Sequence, residues 1–395
     1  MMFATKSLWS VTSCTLAALG LLVFTGCGSA GSTPAPETPT VTASAVQPAA
    51  QPAAEPVVEP KVEMPASSSP AESKAPAKNQ EAKAASPKLP LGLPPLLVPV
   101  GNPITPEKVE LGKMLYFDKR VSKDGTISCA TCHNPKEGWT ERKATSLGIH
   151  QQKGGRNSPT VINAAYAAAQ FWDGRAATLE DQATGPVENP IEMGNKMEAV
   201  VADLSKIPEY QERFKKVFGT GVTKEGFAQA IAAFERTVLS GNSPYDRYKS
   251  GDEKALTEAQ SRGLDLFEGT GCADCHRPPL FSSYEYHNAG VGMSQEKPDE
   301  GRKVVTGKDS DLGRFRVPSL RDVANTGPYL HDGSAATLEE AVALMAAGGK
   351  DNPNLSKELK DVRDAQLTEQ DKKDLVEFLK SLSGEYPVIE EPTLP

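Results

Sequence analysis

Apolar residues recur at three- and four-residue intervals in four separate stretches. After Thr105-Pro106-Glu107, which supplies an N-cap, a proline at the first helical position and an early carboxylate, come Val109, Leu111, Leu115 and Phe117. Thr223 precedes Phe227, Ile231, Phe234 and Val238, which keep the 3.6-residue period. Thr257 opens a third helix with Leu264, Leu266 and Phe267 near its end. Thr368-Glu369-Gln370-Asp371 is a capping-box pattern ahead of Leu375, Phe378, Leu379 and Leu382. No segment alternates convincingly as a strand, so the pattern predicts an all-α fold.

Upstream of Leu89 the pattern fails. Residues 28–88 are almost entirely Ala, Pro, Ser, Thr, Val, Glu and Lys, with no aromatic residue. Such a stretch cannot bury enough apolar surface to offset its chain entropy, and it reads as a disordered linker. Residues 1–27 carry Lys6, an apolar run from Leu16 to Phe24, and Thr25-Gly26-Cys27. That is a secretory signal, too short for a comfortable membrane span. Its end resembles a bacterial lipoprotein processing site, with Cys27 as the lipidated residue; the alternative is an ordinary signal peptide cut nearby. Either way the chain is exported to the periplasm; on the lipoprotein reading, the lipid on Cys27 is its membrane attachment. The folded part divides into 89–240 and 241–390.

Two short frames repeat: Cys129-Ala130-Thr131-Cys132-His133 and Cys272-Ala273-Asp274-Cys275-His276. In each, two thiols can add to the vinyl groups of a haem while the next histidine takes its iron, the pattern of c-type attachment. A thioredoxin-like site would require a βαβ frame, and a four-cysteine zinc site would bring its second pair within about 15–20 residues. Of six cysteines, Cys14 lies in the signal and Cys27 at the processing site. The two haems use the other four, leaving none for a disulfide.

The haem-binding unit is itself duplicated. With Pro159 aligned on Pro318, Asp173-Gly174 meets Asp332-Gly333, and Ala176-Ala177-Thr178-Leu179-Glu180 meets Ala335-Ala336-Thr337-Leu338-Glu339. Differences between the copies then show where the two sites diverged. Met345 falls two turns into the second capped helix, where it is either a core methionine or the sixth ligand of a His/Met haem. The matching position of the first copy is Pro186, which cannot ligate iron, so the first haem has an open face. Trp172 and His331 share one repeat position; the tryptophan is either packing or a bridge for electrons. Gln182 on the short helix and Glu192 beyond the Pro186 and Pro190 turns are read as polar groups that the second copy lacks at matching places. Glu192 is either a solvated loop carboxylate or a proton carrier beside the open iron.

These residues carry a family resemblance. Gly155-Arg156-Asn157-Ser158-Pro159-Thr160, Gln170-Phe171-Trp172-Asp173-Gly174-Arg175, Gly185-Pro186-Val187, Glu192-Met193 and Pro328-Tyr329-Leu330-His331-Asp332-Gly333 together resemble the bacterial diheme cytochrome c peroxidases over nearly all of 89–387. The resemblance implies two cytochrome c-like domains, the N-terminal haem reducing hydrogen peroxide and the C-terminal one receiving electrons from a small donor protein. It implies His133 as proximal ligand of the first haem, and His276 with Met345 on the second. Gln182 and Glu192 would sit on the distal side of the first iron, with Trp172 between the haems. It further implies calcium held by the Asn157 side chain and the carbonyls of Thr326 and Pro328, oxygen donors suited to a hard cation. Homodimers are typical of such proteins. Many members place a histidine eight residues before the asparagine, where it blocks the resting iron; here Ile149 stands there and His150 follows. His150 either supplies that ligand through a one-residue gap or is a plain loop histidine.

Two other functions remain open on sequence grounds. A related enzyme uses the same distal pair to mature tryptophan tryptophylquinone, with a tyrosine on its second haem where Met345 stands here. A diheme electron carrier or redox sensor would need His150 to close the first haem. The formal charge of -8 and pI near 5.4 disfavour nucleic acid and suit a basic donor, a monohaem cytochrome c or a cupredoxin-like protein. His287 has no evident partner and reads as structural.

Overall fold

The structure is a computed structural model that describes residues 88–395. The signal segment 1–27, Cys27 and all but the last residue of the 28–88 linker lie outside the described residues. Among the described residues no helix is long and apolar enough to cross a membrane.

Thirteen α-helices are present among the described residues. In the first half they are α1 (Pro106–Phe117), α2 (Cys129–Cys132), α3 (Leu179–Glu188), α4 (Met197–Leu204), α5 (Pro208–Phe218), α6 (Lys224–Glu235) and α7 (Pro244–Lys249). The second half adds α8 (Glu258–Gly269), α9 (Cys272–Cys275), α10 (Lys303–Thr306), α11 (Leu338–Ala346), α12 (Glu358–Asp364) and α13 (Glu369–Lys380). The four helices expected from periodicity are α1, α6, α8 and α13. Their threonine caps are made: Gly226 N donates to Thr223 Oγ1 at 3.0 Å and Asp371 N to Thr368 Oγ1 at 3.2 Å. Among the described residues the one sheet is a two-residue antiparallel pair, β1 (Tyr286–His287) with β2 (Phe315–Arg316), too short to produce an alternating pattern.

Two hydrophobic cores follow from two equivalent helix crossings. In the first, α1 packs across α6, burying Leu111, Leu115, Phe227, Ile231 and Phe234. In the second, α8 packs across α13, burying Leu264, Phe267, Leu375, Phe378 and Leu379. Each crossing has a glycine at its contact. A Cβ on Gly112 would press on the Ala230 carbonyl and the Phe234 Cβ, and one on Gly263 on the Asp374 carbonyl and the Phe378 Cβ. Edge-to-face aromatics complete both cores, Tyr116 against Phe234 at 5.1 Å and Tyr245 against Phe281 at 4.9 Å.

The duplication is written into the backbone. Gln170 N donates to Ala176 O at 2.8 Å, and Tyr329 N to Ala335 O at 2.8 Å. Inside these two turns Phe171 and Leu330 have φ of 66° and 73°, and Gly174 and Gly333 have 68° and 66°. The two halves are also strapped together. Beyond α13, Tyr386 and Ile389 pack on the first core, and Pro387 O accepts from Trp139 Nε1 at 2.9 Å. The tail of the segment assigned by sequence to 241–390 thus packs against the first core. At the other junction, buried Arg321 makes paired bonds of 2.9 and 2.8 Å to Asp246 and reaches Gly92 O at 3.0 Å.

Candidate functional site

In α2 a single helical turn sets Cys129 and Cys132 on one side. Thr131 Oγ1 accepts from Ser128 N at 2.9 Å, and His133 N closes the turn on Cys129 O at 2.9 Å. His133 then leaves the helix with φ of -126°, and its carbonyl accepts from Tyr116 Oη at 3.1 Å. In α9, Gly271 starts the turn with φ of 86°, and His276 N bonds Cys272 O at 3.0 Å. The His276 Nδ1 lies 3.0 Å from Phe281 O, and since a carbonyl only accepts, that nitrogen carries the proton and Nε2 keeps its lone pair.

All six residues line one cavity of about 830 Å³ that runs through both halves. Burial pushes the Cys132 thiol up to about 12 and the Cys275 thiol up to about 11, and raises Cys129 and Cys272 too, which favours the neutral thiol at all four. Burial also lowers His133, and lowers His276 to about 4, leaving the neutral imidazoles that iron requires. His133 Nδ1 is buried without a hydrogen-bond partner. Two thiol pairs, two neutral imidazoles and an apolar chamber fit two c-type haems. Among the described residues no three His, Cys, Asp or Glu gather as a separate metal site.

Helices α3 and α11 contribute further side chains to the cavity wall. Thr178 Oγ1 caps Asp181 N at 3.0 Å, and Thr337 Oγ1 caps Glu340 N at 3.2 Å. From these equivalent starts, Gln182 and Pro186 line the cavity in the first half, Ala341 and Met345 in the second. The chain beyond α3 folds back, with Met193 N on Pro186 O at 3.2 Å, and brings Glu192 to the wall. Burial raises the Glu192 pKa, against the charge of Arg175 and a 2.7 Å bond from Asn189 Nδ2.

His150 is placed elsewhere. Its left-handed φ of 55° in the 149–151 turn directs the ring outward, 69% exposed, with Nδ1 3.7 Å from Asp124 Oδ2. It does not line the cavity, although Ser146, Gly148 and Gly154 of the same loop do. The one-residue displacement from the expected position therefore has a physical consequence: Ile149 takes the inward place, buried, with its N–H on Glu192 O at 2.8 Å.

Between the halves, Trp172 Nε1 donates to Asn157 O at 2.8 Å, and Asn157 N donates to His331 O at 2.7 Å. Asn157, Thr326, Pro328, Trp172 and His331 all line the cavity. His331 stacks on Phe315 at 3.6 Å and 12°. Arg156 ties the junction by ion pairs of 2.6 Å to both Asp173 and Asp299. His287 does have partners, which sequence reading missed: Glu358 at 3.4 Å and the Cys275 sulfur at 3.8 Å. Glu235 and Arg316 are cavity residues with no motif to mark them; only the repeat, once the helix pairing is known, singles out Glu235.

Comparisons with known proteins agree with this arrangement. The family model for di-haem cytochrome c peroxidase matches residues 106–254, and that for cytochrome c matches 260–383. The chain is 42% identical over 302 residues to the cytochrome c551 peroxidase of Nitrosomonas europaea, covering 74% of this chain and 85% of that one. It is 39% identical to the methylamine utilization protein MauG of Methylorubrum extorquens, covering 75% and 84%. Among solved structures, a MauG-like protein associated with microbial copper homeostasis superposes with a TM-score of 0.69 at 34% identity, over 76% of this chain and 96% of that one.

Proposed function

This chain belongs to the di-haem cytochrome c peroxidase family, and on that premise we propose that it reduces hydrogen peroxide to water at the first site, with electrons entering through the second. The observation that carries the reading is the asymmetry of one repeat position, Pro186 against Met345, within a shared cavity. Methionine closes the second site and suits it to electron transfer; proline leaves the first open to a small molecule.

The reaction takes up two electrons and two protons per peroxide and yields two waters. When bound, the haems supply the redox chemistry of O–O cleavage and hold the oxidising equivalents. The chain's residues do the rest. His133, fixed by the α2 turn and the Tyr116 bond, would hold the iron of the first haem; His276, with Nδ1 tied to Phe281, would hold that of the second. Glu192 takes a proton from one peroxide oxygen and returns it to the other, and burial, which raises its pKa, fits it to hold that proton in between. Gln182 orients the peroxide by hydrogen bonding. Trp172 carries electrons across the junction. Calcium held by Asn157, Thr326 and Pro328 would stiffen that junction.

The donor is a small basic redox protein, a monohaem cytochrome c or a cupredoxin-like protein, drawn by the acidic net charge. The protein works in the periplasm, anchored through lipid on Cys27, and forms a homodimer. Relatives named for methylamine utilization support a second reading, oxidation of a protein side chain to build a cofactor; Met345, in place of a tyrosine ligand, favours peroxide reduction. The deciding experiment is anaerobic: count covalent haems, then measure peroxide turnover with a reduced cytochrome donor. Two haems and steady turnover are expected. Fewer than two haems, or turnover only with a protein substrate, overturns the reading.

A further inference from the structure

Helix α6 carries a carboxyl that the chemistry above does not use. Glu235 is 6% exposed, lines the cavity with Cys129 and His133, and has its Oε2 buried without a hydrogen-bond partner. Its counterpart follows from the two helix crossings, in which Phe234 faces Gly112 as Phe378 faces Gly263. One residue on from each phenylalanine stand Glu235 and Leu379, both buried and both on the cavity wall. The half with the open face thus has a carboxyl where the electron-relaying half has a leucine. A wall that only excludes water is better made of leucine, since an unpaired buried polar group is costly.

The groups around Glu235 leave it no counter-ion. Arg236 is committed to Glu180 by bonds of 2.7 and 2.9 Å. From α1, Lys108 bonds Asn102 and the Pro103 carbonyl, and Tyr116 donates to His133 O. From α2 Cys129 and from α3 Glu180 are the ionisable groups coupled to it by charge. Burial pushes the carboxyl up to about 8, against the pull of Arg236 and with a further push from Glu180. A neutral acid at the wall of a redox site responds to the site's charge: an added positive charge favours the carboxylate, and its removal favours the acid.

We propose that Glu235 is the redox-linked proton acceptor of the first haem. When that haem loses an electron, the Glu235 O–H bond breaks and the proton passes to solvent; when an electron returns from the donor protein, a proton returns with it and the O–H bond re-forms. The buried charge is then the same in both redox states. The proposal rests on haem being held by the first motif and is independent of peroxide being its substrate.

Potentiometric titration of the full-length holoprotein at a series of pH values tests it. The first haem's potential should fall as pH rises, by up to about 59 mV per unit, the tenfold-per-unit dependence of one proton per electron. The second haem, with Leu379 at its wall, should stay flat in the same window. Glu235→Leu and the near-isosteric Glu235→Gln should each flatten the first haem's slope and leave the second unchanged. Redox-difference infrared spectra of the wild type should show a protonated carboxyl appearing on reduction, and Glu235→Gln should lack it. A flat first-haem slope in the wild type, or a slope that survives in Glu235→Gln, overturns the proposal. Should Glu235→Leu lose its haem, the wild-type and Glu235→Gln measurements decide alone. Peroxide turnover enters none of these readouts, so failure of the substrate assignment stays distinguishable.

Discussion

Trp172 and Asn157 are joined by an indole-to-carbonyl hydrogen bond of 2.8 Å, and Asn157 in turn donates its own N–H to His331, the repeat partner of Trp172. One residue from the first half thus bonds both members of a duplicated position. The link holds the orientation of an indole on the cavity wall.

Trp172→Phe removes that bond and the larger ring while keeping an aromatic. A buried neutral hydrogen bond is worth about 1 kcal/mol, so the melting temperature should fall slightly. Electron transfer between the haems should slow by roughly tenfold or more, equivalent to at least about 1.4 kcal/mol on its barrier. Stopped-flow reduction, monitored at each haem's own band, measures this directly. Equal inter-haem rates in variant and wild type would remove Trp172 from the path.

Glu192→Gln should lower peroxide turnover by about 10²–10⁴-fold, the range for loss of a positioned proton carrier, and leave both haem spectra near normal. The pH dependence has a defined sign. Glu192 must begin as carboxylate, and burial raises its pKa, so activity should decline as pH falls through a value above the ordinary glutamate range of about 4.3. That acid limb should vanish from the residual activity of the variant. An acid limb that persists belongs to another group.

Gly112→Ala and Gly263→Ala test whether the two helix crossings are equivalent. Each new methyl meets a backbone carbonyl on the opposing helix, Ala230 or Asp374, which a rotamer change cannot relieve. Overpacking of this kind costs about 1–3 kcal/mol. Each variant should melt earlier, and loss of haem should begin in the half that carries the substitution. Simultaneous loss of both haems in either variant would show that the halves unfold as one.

The helices legible from an apolar stripe behind a threonine cap were the long ones, α1, α6, α8 and α13; α3 and α11 were legible through the repeat that caps both at the same offset. The turns α2 and α9 were visible only as chemistry, because covalent attachment requires a fixed Cys-x-x-Cys-His spacing whatever the fold. The repeat was legible for the same reason at Asp173-Gly174 and Asp332-Gly333, where a positive φ demands glycine. Membership of the cavity wall was not. Glu235 next to Arg236 reads as a solvated pair until the crossing of α1 and α6 buries it, and the outward turn of His150 goes with consecutive positive φ angles at His150 and Gln151 that the sequence does not announce.

Met345→His replaces a thioether with a stronger donor at a position on the cavity wall two turns into α11. If Met345 is the sixth ligand, the second haem's potential should drop by a substantial part of the roughly 0.8 V that axial ligands span. The first haem should hold its potential, since Pro186 occupies the matching place there. A change confined to the first haem would reverse the assignment of the two sites.

His150→Ala addresses whether the first site is closed at rest. The ring is 69% exposed and its nearest charged group is Asp124 at 3.7 Å, while the buried neighbour Ile149 holds the loop on Glu192 O. For His150 to reach the cavity, the 149–151 turn would have to invert, expelling Ile149 from the core and breaking its bond to Glu192. Moving that buried side chain into water costs about 1.5–3 kcal/mol, before the lost hydrogen bond is counted. The substitution should therefore leave the oxidised spectrum of the first haem unchanged, and fully oxidised enzyme should turn over peroxide without prior reduction in both variant and wild type. A shift of the oxidised first-haem spectrum from low to high spin in His150→Ala would mean that the turn does invert when haem is bound.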